Sequence, residues 1–68
     1  MPLPIKQERT KRGWTQQYVA TQVGLTRTAI HDIENGLQAP SYKVLVKLEN
    51  LFGMTHRELL RPPLHGGG

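Results

Sequence analysis

The sequence predicts an all-α fold of five short helices, and three observations predict it. Gly13, Gly24, Gly36 and Gly53 each close a run of helix-compatible residues, where a glycine ends a helix by taking the left-handed conformation. Thr15, Thr26, Ser41 and Thr55 each stand where the next helix should begin, with a side-chain oxygen able to cap the unpaired N–H groups of a first turn. No segment alternates apolar and polar residues over four or more positions while avoiding helix periodicity, so nothing reads as a strand. The helices expected are 5–12, 16–23, 27–35, 42–52 and 56–60. Residues 1–60 then form one domain. Residues 61–68, with two prolines and three terminal glycines, read as a disordered tail.

Length and composition limit what such a fold can do. Sixty-eight residues support one domain, which buries only roughly 60 % of its unfolded surface. The absence of cysteine removes disulfides as a supplement to that core. The longest aliphatic run, Val44-Leu45-Val46, is far short of a membrane span. A chain this small has little room for a walled pocket beside its core, which argues against an enzyme, and no nucleophile–base pair or phosphate-cradling glycine loop is visible. The net charge of +4 leans toward a polyanionic partner. No signal peptide is legible, so the expected location is the cytoplasm.

Placing residues at helical spacing adds detail. In the third helix Thr26, Ala29, Ile30 and Ile33 fall in one arc of roughly 100°, and Arg27, Thr28, His31, Asp32 and Asn35 occupy the opposite arc. Such a helix can dock on its apolar side while its polar side reads something outward. In the second helix Val19, Ala20 and Val23 share a face. In the fourth, Tyr42, Val44, Leu45, Leu48, Leu51 and Phe52 cover nearly half the cylinder, so it is expected to be the most buried helix, with the others packed around it.

Residues 15–36, TQQYVATQVGLTRTAIHDIENG, combine these features as a helix, a glycine-containing turn and a second helix. Ala20 is small where the two helices approach, Gly24 makes the turn, Leu25 plugs the core beside it, and Thr26 caps the second helix. This segment resembles the helix-turn-helix of the Cro/repressor (XRE-type) family of small phage and bacterial regulators. The likeness continues through Arg9 and Gly13-Trp14-Thr15-Gln16 on one side. On the other it runs through Glu34-Asn35-Gly36, Pro40-Ser41, Leu45, Lys47-Leu48, Phe52-Gly53 and Glu58-Leu59-Leu60. It spans about residues 5–60 and implies a compact lambda-repressor-like DNA-binding domain.

The resemblance implies roles for particular residues. In the family the second helix of the motif enters the major groove and its N-terminal residues touch base edges. That makes Arg27, Thr28 and Asp32 the expected base readers, with Thr26 and His31 close by. Arg27 suits guanine O6 and N7, Thr28 offers a hydroxyl or a methyl group, and Asp32 accepts from cytosine N4 and repels phosphate. Gln16, at the N-terminus of the second helix, matches the family's phosphate-contacting glutamine. Arg12, Asn35 and Lys43 are further phosphate candidates, and Gln38 a weaker one. The loop after the reading helix departs from the common pattern, carrying Leu37-Gln38-Ala39 where Lys or Arg is usual. This loop should therefore contribute fewer phosphate contacts and a shallower salt dependence.

Glu34 lies at the margin of the apolar arc and is expected to be half buried. The resemblance pairs it with Arg9 as a structural ion pair locking the first helix to the reading helix. Trp14 reads as a core-edge residue and Tyr18 as a surface one. Glu49 replaces a small residue of the family, and is expected either to pair with a basic neighbour at the core margin or to face a partner subunit. His31, His56 and His65 lack metal-ligand spacing, so neither metal nor cofactor is expected.

The family reads palindromic half-sites as two-fold dimers. Phe52, Met54, Leu59, Leu60 and, more weakly, Leu64 look too numerous for so small a domain to cover, and they are assigned to a homodimer contact. The function implied is a sequence-specific double-stranded DNA-binding transcriptional regulator, a repressor, associated with the nucleoid when bound. No membrane and no small-molecule effector are expected. Rival readings are an antitoxin or restriction–modification controller on the same fold, or a protein-interaction module that no longer reads DNA. Charge is distributed unevenly: residues 1–12 carry four bases against one acid, residues 13–40 one base against two acids, and residues 41–68 four bases against two. The expected reading helix is thus nearly neutral, and the positive charge flanks it.

Overall fold

Four of the five helices begin on a hydroxyl. In the computed structural model, which describes residues 2–61, the side-chain oxygens of Thr15, Thr26, Ser41 and Thr55 accept from the backbone N–H groups three residues on. Those donors are Tyr18 at 3.0 Å, Ala29 at 3.1 Å, Val44 at 3.3 Å and Glu58 at 3.3 Å. They open α2 (Gln16–Val23), α3 (Arg27–Glu34), α4 (Tyr42–Phe52) and α5 (His56–Leu59). Thr55 and Glu58 complete a reciprocal capping box. The first helix, α1 (Pro4–Lys11), starts differently: Pro4 sits at its first position, where a missing N–H costs nothing, and Leu3 provides no side-chain cap. That proline explains why α1 begins one residue before the expected position 5. The tail expected at 61–68 lies, apart from Arg61, outside the described residues.

All five helices contribute to one core. Ile5 of α1, Val19, Ala20 and Val23 of α2, Ile30 of α3, Val44, Leu48 and Phe52 of α4 and Leu59 of α5 form a single buried cluster, with Trp14, Leu25 and Leu51 among the residues packed against it. The most extensive helix pair is α2 with α3; α4 rests on α2, and α1 joins α5 and α3. This corrects the expectation that α4 is the most buried element. Tyr42, at the start of its apolar stripe, is 82 % exposed and Val46 lies outside the core, and α4 packs chiefly on α2 and α5, while α2 carries the most extensive contact, with α3.

Two residues of the expected dimer contact belong instead to the core. Phe52 is 4 % exposed and Leu59 fully buried, both inside the core of a single chain. Met54 and Leu60 are half-buried and packed against that core. The short α5 lies on α1 and α4 and so covers Leu59, while Met54 and Leu60 keep part of their surface open. Leu64 lies outside the described residues.

Arg12 ties the end of α1 to the end of α4. Its guanidinium donates to the carboxylate of Glu8 at 2.8 Å and to the carbonyl of Phe52 at 2.9 Å, and lies over the rings of Phe52 and Trp14 at 5.1 and 5.6 Å. Together with Lys11 it holds the Glu8 carboxyl below the usual carboxylate range. Trp14 packs edge-on against Phe52 and tilted against Tyr18, whose ring is partly exposed.

Candidate nucleic-acid interface

The site is built on α3. Ile30, Ile33 and Glu34 are completely buried and anchor the helix. Arg27, Thr28 and His31 are exposed on the opposite side, and Asp32 is half-exposed beside them. Thr26 stands at the start, its oxygen engaged by the N–H of Ala29. Asp32 Oδ1 lies 3.3 Å from His31 Nδ1, so the only acid on this face has an imidazole as its neighbour. Arg27 makes no ion pair among the described residues, which leaves its guanidinium available.

The end of α3 is closed from both sides. Asn35 Nδ2 donates to the carbonyl of His31 at 2.8 Å, so this phosphate candidate also serves as a local cap. The N–H of Leu3 donates to the carbonyl of Glu34 at 2.7 Å, and the N–H of Leu37 to that of Asp32 at 2.8 Å. Both bonds satisfy carbonyls that a helix terminus leaves unpaired.

Gln16 occupies the first position of α2. Neither α2 nor α3 has an acidic residue in its first turn, so the positive helix ends are not offset locally. The Gln16 amide Nε2 donates to Glu34 Oε1 at 3.0 Å. Glu34 is also the partner of Arg9, which donates from Nε to Oε2 and from Nη2 to Oε1 at 3.3 Å, and from Nη1 to the carbonyl of Trp14 at 2.8 Å. Glu34 is therefore fully buried rather than half buried, because three donors from α1 and α2 converge on it. Among the described residues no buried side-chain nitrogen or oxygen lacks a partner.

The other phosphate candidates divide. Lys43 is exposed in the first turn of α4 with no ion pair among the described residues. Gln38 lies exposed on the loop, beside a shallow apolar groove of about 200 Å³ that Pro40 and Leu3 also line. Arg12 is largely engaged within the chain, Nη1 by the carbonyl and carboxylate of Glu8 and Nη2 by the carbonyl of Phe52 and the sulfur of Met54, which leaves Nε as its one N–H without a partner among the described residues. Lys47, to which sequence reasoning assigned no role, lies beside the turn of the motif; a Cβ on Gly24 would lie 3.9 Å from its Nζ. The signal was its spacing four residues after Lys43, on the same side of α4. Glu49 accepts from the backbone N–H of His56 at 2.8 Å and contacts its Nδ1 at 2.8 Å, well away from α3 in the chain. Those two bonds hold the Glu49 carboxyl below the usual carboxylate range.

The comparisons with known proteins agree with this geometry. A family model described as helix-turn-helix matches residues 5–59. The chain belongs to the helix-turn-helix family. It is 37 % identical over 57 residues to the SPbeta prophage-derived uncharacterized HTH-type transcriptional regulator YonR of Bacillus subtilis, covering 84 % of this chain and 53 % of that protein. It is 36 % identical over 52 residues to the HTH-type transcriptional regulator AnsR of the same organism, covering 76 % of this chain and 45 % of that protein. A putative HTH-type transcriptional regulatory protein of Halorubrum lacusprofundi is 38 % identical over 48 residues, covering 71 % of this chain and 15 % of that protein. The chain thus spans about half the length of the Bacillus relatives it matches. Within this helix-turn-helix chain, no helix among the described residues is long and apolar enough to cross a membrane.

Proposed function

We propose that the chain is a sequence-specific reader of double-stranded DNA that regulates transcription as a repressor, with α3 in the major groove. The observation that carries this reading is the division of α3. Ile30, Ile33 and Glu34 are buried and anchor it, while Arg27, Thr28 and His31 are exposed on the other side. Arg27 and Thr28 inspect base edges; a bidentate arginine–guanine contact gives about 1–3 kcal/mol of discrimination. Thr26, Asp32 and His31 border them. Gln16, Asn35, Lys43 and, more weakly, Gln38 hold the phosphates that fix register. The naming of several relatives as transcriptional regulators supports the regulatory role.

One α3 spans only a few base pairs, so two copies on half-sites about one helical turn apart supply the remaining specificity. Bound over a promoter, such a pair represses by occupying it, in the bacterial cytoplasm where the DNA lies. Selection from a random duplex library at fixed salt tests this. The expected result is a two-fold symmetric motif whose enrichment collapses for Arg27→Ala. Wild type and Arg27→Ala enriching nothing alike would overturn the reading in favour of a protein-interaction module.

A further inference from the structure

The geometry points to Glu34 as the positioning residue for the phosphate contact of Gln16, in addition to its pairing with Arg9. This rests on the reading of Gln16 as a phosphate ligand proposed above. A carboxylate only accepts hydrogen bonds. Gln16 can therefore face Glu34 with its NH2 and not with its carbonyl oxygen, and Nε2 does lie 3.0 Å from Oε1. Glu34 thereby selects one of the two orientations of the amide. One N–H is used inward; the second remains on the same nitrogen, directed by the first, as the donor for a phosphate oxygen.

The same carboxylate sets where that donor stands. Glu34 is the last residue of α3 and is completely buried. It fixes Arg9, and Arg9 Nη1 holds the carbonyl of Trp14, two residues before Gln16. Both the approach to α2 and its first residue are thus tied to the helix that carries Arg27 and Thr28. A phosphate contact made from α2 keeps a constant offset from base contacts made from α3, although Glu34 touches neither.

The sign of one substitution separates positioning from bulk electrostatics. Glu34→Gln removes a negative charge, which by charge alone should tighten binding to DNA. It also lets Gln16 turn either way, which should weaken binding. The test is equilibrium binding to a mixed-sequence duplex at fixed salt, at a temperature where every variant is folded. Gln16→Ala is expected to lose about tenfold in affinity, the scale of one charge-assisted hydrogen bond. Glu34→Gln should also lose affinity, and should cost nothing further once Gln16 is Ala. Unchanged or tighter binding by Glu34→Gln, independent additive losses, or an unaffected Gln16→Ala would each overturn the proposal. Failure of the wild type to bind any duplex would instead remove the DNA reading and this proposal with it.

Should Glu34→Gln not fold, the side-chain amide protons of Gln16 in the wild type decide by NMR. One should exchange slowly and hold its shift when duplex is added while the other moves. Two protons that move together, or that both exchange like a free amide, would overturn it.

Discussion

Arg12 closes the C-terminal end of α4: its Nη2 donates to the carbonyl of Phe52, the last residue of that helix, across 40 positions of sequence. Its planar fork binds Glu8 and Phe52 at once, with its faces against two aromatic rings. An ammonium cannot reproduce that arrangement. Arg12→Lys should therefore lower stability by about 1–2 kcal/mol, the scale of a charged hydrogen bond plus a stacking contact, read as a lower thermal midpoint. The slope of log affinity for DNA against log salt should stay unchanged. A slope reduced by about 0.9 would show a phosphate contact at Arg12 after all.

Glu34 and Arg9 should behave as a buried pair. Glu34→Ala leaves the Arg9 guanidinium in the interior with its carboxylate partner gone, and breaking such a pair costs about 3–5 kcal/mol. The double replacement Arg9→Met with Glu34→Leu strands no charge and should recover much of that loss. Chemical denaturation of the three proteins checks this. A double variant no more stable than Glu34→Ala would show that packing, and not the stranded charge, sets the cost.

Much of this architecture was legible in sequence because its signals are local. A threonine cap and the N–H it accepts lie three residues apart, so Thr15, Thr26, Ser41 and Thr55 marked the helix starts without knowledge of the fold. The outer face of α3 was legible for the same reason, as a spacing within one helix. Contacts between distant segments were not. Leu59 looked surplus because nothing in its neighbourhood shows that α5 docks on α1. Arg12 looked available because its partners Phe52 and Trp14 are brought to it only by tertiary packing. Glu34 sat at the margin of an arc, and its complete burial follows from donors on two other helices. Site features that depend on spacing within a helix were readable; those that depend on which helices meet required the fold.

Glu49 should make part of the stability pH-dependent. Its folded-state pKa is held below its ordinary value of 4.5, chiefly by the backbone N–H of His56 and then by the imidazole. A lowered carboxylate pKa gives stability that is present above the unfolded value and lost as pH falls through the folded value. Wild type should therefore melt above Glu49→Ala at neutral pH, and the gap should narrow as the pH drops below 4.5. A gap constant from neutral pH to strong acid would show that the Glu49 contribution is packing. Glu8 titrates in both proteins and cancels from the comparison.

Lys43 and Lys47 stand four residues apart on α4 yet should divide stability from binding. The last turn of α2 contains no basic residue, and its C-terminal carbonyls carry partial negative charge. Lys47 brings its ammonium to the Gly24 end of that helix from α4, as a counter-charge in trans. Because the lysine is exposed, Lys47→Met should cost only about 0.3 kcal/mol, the low end for a helix-end charge. Its effect on the salt slope should be nil. Lys43, exposed at the start of α4, has no internal partner among the described residues and should show the opposite pattern. Lys43→Gln should leave the thermal midpoint in place and lower the magnitude of the salt slope by about 0.9, one phosphate contact's worth. Measuring both variants by thermal melts and by duplex binding across a salt series separates the two roles. Equal slope changes for the pair would mean that Lys47 reaches a phosphate as well.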